Sequence, residues 1–283
     1  MDNFLLPRLQ GGLGNQLFIC AACYVIQHIH KDKNIQILFP NHPDNRQKKS
    51  STDSDTIFLA FPNSQKITLP NEIIAHLHTF AQAAQQSNIA FVCPQEKPYS
   101  PWDPHTIQIP CFLEGYFQYY PPLEPFIQEI CEIVRNALPT KSQPIREHSV
   151  FIHVRRGDFV ELQEYHFLQS KEYYENALQH FDLTTHTFYI FSDDIEYCKK
   201  SGMFDTIQNK VFVEEEDELV TFAMMSKCTH GAICANSTFS WWGAMLATNY
   251  ENMKNNTSYP IIVPSKWGVE NPQILFPDTW TIL

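Results

Sequence analysis

Through the second half of the chain, short β-branched and aromatic runs alternate with segments of helical period, the pattern of a parallel sheet with helical crossovers. The first run is Ser149–Val154. Tyr174, Ala177, Leu178 and Phe181 then fall on one helical face, residues 188–191 and 210–213 read as strands, and Leu219, Phe222, Ala223 and Ser226 give the next helical face. Residues 230–235 predict a strand, 239–247 a helix and 261–263 a last strand before aromatic and Pro-containing segments. That succession describes a Rossmann-like half.

The first half starts in a similar way. Apolar residues 4–9 predict a strand that Pro7 weakens, followed by a glycine turn from Gly11 to Gly14 and an apolar helix over residues 17–29. Residues 41–56 are polar and unpatterned and predict a surface loop, residues 94–110 are interrupted by prolines, and 124–138 reads as a helix. The polar stretch 139–144, bounded by Pro139 and Pro144, is the best linker, which divides the chain into domains 1–143 and 144–283. No internal repeat is visible.

Composition narrows the function classes. With 43% hydrophobic and 18% charged residues the chain can build a real core. A formal net charge of −11 excludes an extended basic surface for nucleic acid or anionic membrane, but leaves room for a small phosphorylated ligand held by a few local cations. The first thirty residues lack a signal peptide, and no apolar window approaches the ~18 residues of a membrane span. The expectation is a cytoplasmic protein, free or attached peripherally to the inner face of the membrane. Its eight cysteines then read as reduced core residues, and Cys20 with Cys23 has redox or zinc spacing but no second pair.

In open parallel sheets ligands bind beyond the carboxyl ends of the strands. The strand ending at Val154 runs into Arg155-Arg156-Gly157-Asp158, the one ending at Phe191 into Ser192-Asp193-Asp194, and the one ending at Ala235 into Asn236-Ser237-Thr238-Phe239. Arg155 or Arg156 suits a diphosphate through charge-assisted hydrogen bonds, and the alternative is an exposed arginine pair bridged to Asp158. Asp193 can accept from a guanine edge, or either aspartate from ribose hydroxyls, while Asp-Asp after a strand is also an ordinary helix cap. Asn236, Ser237 and Thr238 open a helix and read as a phosphate or ribose site, as a cap, or as both. Trp241 and Trp242, inside that helix, read as core. Gly11-Gly12-Leu13-Gly14-Asn15-Gln16 offers backbone amides to a phosphate or sugar, or is a tight structural turn; Leu17 stands where a dinucleotide fingerprint needs its third glycine. Asp53-Ser54-Asp55 matches an Asp-x-Asp metal pattern but follows no strand, and the acidic run 214–218 reads as a solvated first helical turn.

Together these segments resemble the bacterial α-1,2-fucosyltransferases and their animal relatives, the galactoside 2-α-fucosyltransferases. Four ordered motifs carry the resemblance: residues 11–18, Gly115-Tyr116-Phe117-Gln118, His153-Val154-Arg155-Arg156-Gly157-Asp158, and residues 235–244. The family often has Tyr at Phe159 and Gln at Ile19. The resemblance implies an α/β, GT-B-like fold of two Rossmann-like domains with parallel sheets facing across a cleft. The first would be the acceptor-side domain and the second the GDP-sugar domain. It implies GDP-β-L-fucose as donor, with no cofactor and no metal, and as acceptor a galactose-terminated glycan such as lactose or lactosamine. On this pattern Arg155 contacts the diphosphate, Ser237, Thr238 and Phe239 lie against the nucleotide, and Asp193 reads guanine more loosely.

The expected reaction is inverting transfer of L-fucose to the 2-hydroxyl of galactose. Gly14, Asn15, His153, Arg155, Arg156, Asp193, Asn236, Ser237, Thr238 and Phe239 form the expected nucleotide-sugar site. Arg155 and the amides at Gly14 and Asn15 stabilise the leaving diphosphate. For the general base, Asp158 ranks first, with Glu161 and Glu164 just beyond it. The competing class is a catalytically silent sugar-nucleotide or lectin-like module on the same fold.

Overall fold

The computed structural model of the protein describes residues 3–40, 55–68, 91–94, 97–163, 166–247, 259–269 and 271–283, and among them every strand pairing is parallel. Two units, Met1–Ala137 and Leu138–Leu283, each carry one sheet. Residues 139–144 therefore fall inside the second unit.

The first unit contains β1 (Phe4–Pro7), α1 (Leu13–Ile29), β2 (Gln36–Pro40), α2 (Asp55–Leu59), β3 (Ser64–Ile67), β4 (Phe91–Pro94), β5 (Cys111–Glu114) and α3 (Ile127–Ala137), with strand order β3-β2-β1-β5-β4. Pro7 is tolerated in this central strand because it is the last residue. The ladder to β2 has already ended at Leu5, and Arg8 N–H resumes donation to the Leu113 carbonyl at 3.0 Å. The expected strand 4–9 is shorter for the same reason. Helix α1 begins four residues before the expected start, so Gly14 and Asn15 lie in its first turn rather than in a loop, and Asn15 N–H and Gln16 N–H both donate to the Gly12 carbonyl. It is buried almost all round, Leu17, Ile19 and Cys20 completely, as its unbroken apolar composition requires. Burial pushes the Cys20 and Cys23 thiols far above their ordinary range, so neither offers a thiolate. Of the expected loop 41–56, residues 41–54 lie outside the described residues, while Asp55 and Thr56 open α2.

The second unit contains β6 (Ser149–Val154), α4 (Lys171–Leu178), β7 (Thr187–Ser192), α5 (Ile195–Lys200), β8 (Lys210–Phe212), α6 (Glu218–Met225), β9 (Ala232–Ile233), α7 (Thr238–Ala247), β10 (Ile261–Val263) and β11 (Thr281–Ile282). Its order is β11-β10-β9-β6-β7-β8. Counted outward from β6, two strands lie one way and three the other, the doubly wound arrangement. All six residues of β6 are buried, which is why the run reads as continuously apolar rather than alternating. Val150, Ile152 and Val154 face Tyr174, Leu178 and Phe204 on one side, and each fully buried side chain of this size contributes about 2 kcal/mol. On the other side α7 approaches closely. A Cβ on Gly243 would come within 2.7 Å of Met225 Sδ and 3.5 Å of the Phe151 ring.

Three expectations need correction. The strand expected over 230–235 is the two-residue β9, because Ser240 Oγ donates to the Ala235 carbonyl at 3.0 Å and ties the segment to α7 instead. The 261–263 strand is not the last, since β11 adds to the sheet edge. The acidic run is only partly solvated: Asp217 is buried and caps α6, accepting from Leu219 N–H at 2.9 Å and Val220 N–H at 3.2 Å. Trp241 and Trp242 are core residues, as expected.

Candidate active site

In the second sheet the crossovers leave on opposite faces from β6 and β9. Helices α4 and α5 cover the side of Val150 and Ile152, while α6 and α7 cover the side of Phe151 and His153. The carboxyl ends of β6 and β9 thus flank a topological switch point, where an open sheet parts to admit a ligand.

Beyond β6, the Arg155 guanidinium is gripped by two carboxylates, Nη2 to Asp158 Oδ1 at 2.7 Å and Nη1 to Asp193 Oδ2 at 2.8 Å. The second oxygen of Asp193 accepts the Arg156 backbone N–H at 2.8 Å. Asp193 is therefore occupied on both oxygens within the chain, an arrangement that orients Arg155. Arg156 turns elsewhere: its Nε donates to Asp194 Oδ2 at 3.1 Å and its guanidinium lies 3.4 Å from the centre of the Tyr197 ring. Asp194 also caps α5 through Tyr197 N–H, so the two aspartates take different tasks. Gly157 makes room for this network, because a Cβ there would sit 2.4 Å from Asp193 Oδ2.

Two guanidiniums against three carboxylates leave this group with one formal negative charge. Attraction for a diphosphate must then come from directed N–H groups rather than from net charge. Arg155 uses two of its five N–H donors on the carboxylates named and keeps three.

His153, just before the end of β6, is 5% exposed and its Nδ1 has no hydrogen-bond partner among the described residues. Burial pushes its pKa down to about 4; the Asp193 carboxylate pulls the other way and Arg155 adds to the fall. The ring is neutral at pH 7. It lies 5.6 Å from Phe239, which stacks on Phe222 at 4.1 Å. After β9, Asn236 donates from Nδ2 to the Phe167 carbonyl at 3.0 Å, and its buried Oδ1 has no partner among the described residues. Ser237 Oγ accepts the Phe239 N–H at 3.3 Å, at the amino end of α7, and Thr238 is the helix's first residue.

Of the remaining expected residues, Gly14 and Asn15 belong to the first unit. There Gln118 Nε2 donates to Asn15 Oδ1 at 3.0 Å, joining two of the four sequence motifs. Gly11 has φ +73°, and a Cβ on it would strike Asn15 Nδ2 at 2.3 Å, so this turn needs its glycine. Glu161 is exposed, and Glu164, Asp53 and Ser54 lie outside the described residues. Among the described residues no group of three or more His, Cys, Asp or Glu side chains is placed to hold a metal ion, and no helix is long and apolar enough to cross a membrane.

The family model described as Glycosyl transferase family 11 matches residues 7–258. The chain belongs to this family. It is a glycosyltransferase, and the kinship expected from the four motifs holds. Two Escherichia coli relatives are similar over nearly their whole length. An alpha-1,2-colitosyltransferase is 27% identical, with 94% of this chain and 92% of that one covered. The O-antigen biosynthesis glycosyltransferase WbnK is 26% identical, with 96% and 98% covered. Among solved structures, a variant of Arabidopsis thaliana FUT1 in complex with GDP aligns with TM-score 0.51 at 10% identity, over 87% of this chain and 68% of that one. The E. coli heptosyltransferase WaaC with ADP aligns with TM-score 0.51 at 9% identity, over 99% and 92%. These likenesses concern the fold, a GT-B-like pair of parallel-sheet α/β units.

Sequence reasoning missed three side chains around the candidate site. Tyr197 is legible in retrospect, since it stands three residues after the capping Asp194 and so returns to the same end of α5. Phe222 and His166 had no such signal: their partners Phe239 and Phe159 are met only through the fold.

Proposed function

We propose that the protein transfers L-fucose from GDP-β-L-fucose to the 2-hydroxyl of a terminal galactose, forming an α-1,2 linkage with inversion and without a metal ion. In this reading the second unit binds the GDP-sugar and the first serves the acceptor. The observation that carries it is the pair of buried polar atoms without a hydrogen-bond partner among the described residues, His153 Nδ1 at the end of β6 and Asn236 Oδ1 just after β9, the two strands that flank the switch point. Each such atom costs about 1–3 kcal/mol if left unsatisfied, so their pairing at one crevice favours a ligand that completes both.

The chemistry of the two atoms differs. Asn236 Oδ1 is an acceptor only, and its amide is oriented by the bond to Phe167, so it calls for a hydroxyl or N–H such as a ribose supplies. His153 as a neutral imidazole can donate from Nδ1 to a phosphate oxygen. Arg155, held rigid by Asp158 and Asp193, presents its three remaining N–H groups to the diphosphate, and the first turn of α7 adds backbone N–H groups that have no carbonyl within the helix. As the bond from C1 of the sugar to the β-phosphate oxygen breaks, negative charge grows on GDP and these donors stabilise it, by about 3 kcal/mol for each one that a substitution removes. Asp193 serves here as the carboxylate that positions Arg155, in place of the guanine contact expected from sequence.

A second donor is favoured by the E. coli colitosyltransferase: a colitosyl rather than a fucosyl group, moved to the same hydroxyl position. The test is incubation with GDP-fucose, GDP-colitose, a UDP-sugar and an ADP-sugar, each with lactose and lactosamine, with and without EDTA. Transfer from GDP-fucose to O2 that EDTA leaves unchanged is expected. Exclusive use of GDP-colitose would move the reading to the second donor, and transfer from a UDP- or ADP-sugar, or loss with EDTA, would overturn it.

A further inference from the structure

Fucosyl transfer to a hydroxyl requires that the acceptor lose a proton, and of the three carboxylates expected to take it Glu164 lies outside the described residues. Asp158 has an oxygen occupied by Arg155 at 2.7 Å, and Glu161 is exposed, its backbone N–H donating to the Asp158 carbonyl. We propose that His166 is the general base that removes the proton from the acceptor hydroxyl, an assignment that rests on the transfer reaction proposed above.

Successive backbone hydrogen bonds link the arginine segment to His166: Val160 N–H donates to the Arg156 carbonyl at 3.0 Å, Leu162 N–H to the Asp158 carbonyl at 3.0 Å and His166 N–H to the Leu162 carbonyl at 3.0 Å. The arginine segment and His166 thus belong to one hydrogen-bonded ribbon. Both ends of that ribbon are fastened at the switch point. At one end the Phe159 ring lies 5.4 Å from the Arg155 guanidinium, and at the other the Phe167 carbonyl receives Asn236 Nδ2 at 3.0 Å. Between them the His166 ring lies flat on Phe159, centroids 4.1 Å apart and planes 4° from parallel. Stacking fixes the plane of the imidazole, and the residue is half-buried. Among the described residues neither ring nitrogen has a hydrogen-bond partner. A half-buried, oriented imidazole without a partner, one residue from the Asn236 contact, is what a general base needs.

In the step, the acceptor O2 forms its bond to C1 of the donor sugar while its proton passes to a ring nitrogen of His166. The C1–O bond to the β-phosphate breaks and its electron pair leaves on GDP. The imidazolium then returns the proton to water. Charged groups on the neighbouring elements are Arg155, Arg156, Asp158 and Glu161 of the same ribbon, Asp193 and Asp194 after β7, and His153 on β6. His153 stays neutral down to about pH 4, so it does not mimic a second imidazole limb near neutrality.

The test compares wild type with His166→Phe, which keeps a flat ring on Phe159 but no nitrogen, and with His166→Gln. The readouts are kcat/KM for the acceptor as a function of pH, and GDP affinity by calorimetry. Expected are losses of about 10²- to 10⁴-fold in both variants, an acid limb present in wild type and missing from both, and unchanged GDP affinity. A His166→Phe protein with wild-type rates, or variants that retain the acid limb, would overturn the assignment while leaving the transfer reaction standing. A wild-type protein that transfers no deoxy sugar from GDP would overturn both.

Discussion

The buried His153 makes the stability of the second unit depend on pH, with a sign that can be worked out. Its pKa is about 4 in the folded protein against an ordinary 6.5, because burial disfavours the imidazolium. Between these values the unfolded chain binds more protons than the folded one, so acid favours unfolding. The stability due to the neutral ring is complete above pH 6.5, falls by up to ~1.4 kcal/mol per pH unit below it, and levels off near pH 4. From pH 6.5 to 5 the loss is about 2 kcal/mol. His230, whose pKa is lowered by burial and by His148 and His186 beside it, adds a contribution of the same sign. Urea unfolding followed by tryptophan fluorescence reports chiefly on this unit, which holds Trp241, Trp242, Trp267 and Trp280 against Trp102 in the other. His153→Gln should flatten the dependence while His230 keeps part of it. The ring resonance of His153 should show no titration above pH 5 in the free protein, and GDP should raise its pKa, since a diphosphate stabilises the cation. A His153 ring that titrates near 6.5, or a variant with the wild-type slope, would refute the reasoning.

Three substitutions test the arginine network. Arg155→Lys supplies a charge but not a fork that bridges Asp158 and Asp193, and kcat/KM should fall about a hundredfold or more in steady-state assays; a folded variant with near-normal rates would remove Arg155 from the site. Asp158→Asn keeps an acceptor for Arg155 and removes one of three carboxylates, so GDP affinity measured by calorimetry should hold or rise and turnover should fall less than tenfold. Collapse by about a thousandfold would instead make Asp158 the base and displace His166. Gly157→Ala drives a Cβ to within 2.4 Å of Asp193 Oδ2, which must then shift away from Arg155, so kcat/KM should drop with the loss of Arg155 orientation; unchanged kcat/KM would show that Asp193 does not hold Arg155 in place.

What could be read from sequence was what depends on local pattern. Ser149–Val154 is a strand with the expected limits because a central parallel strand is buried on both faces and reads as one apolar run. The first unit was harder. Strand β3 is a polar, half-exposed edge, Ser-Gln-Lys-Ile, with nothing periodic to detect, and β11 is a two-residue edge strand defined only by its pairing with β10. Of the site, the loops after β6, β7 and β9 were legible as polar residues at strand ends. What each residue does was not. Asp193 looks free for a guanine edge until the fold brings Arg155 and Arg156, nearly forty residues earlier, against both of its oxygens.

That network also reconciles an acidic chain with the anionic ligand proposed for it. A net charge of −11 and a site group that is itself formally negative would repel GDP if affinity followed net charge. Carboxylates fixed behind an arginine have a different effect from carboxylates facing the ligand: they prepay the ordering of a flexible side chain and aim its free N–H groups. The same reasoning explains why His153 is best kept neutral. A buried imidazolium beside Arg155 would add charge at high cost, whereas a neutral ring supplies one directed donor, its Nδ1 being buried and without a partner among the described residues. The switch point of the second sheet thus trades charge for geometry, and it can do so because the strands that precede Arg155, Asp193 and Asn236 are paired in one parallel sheet.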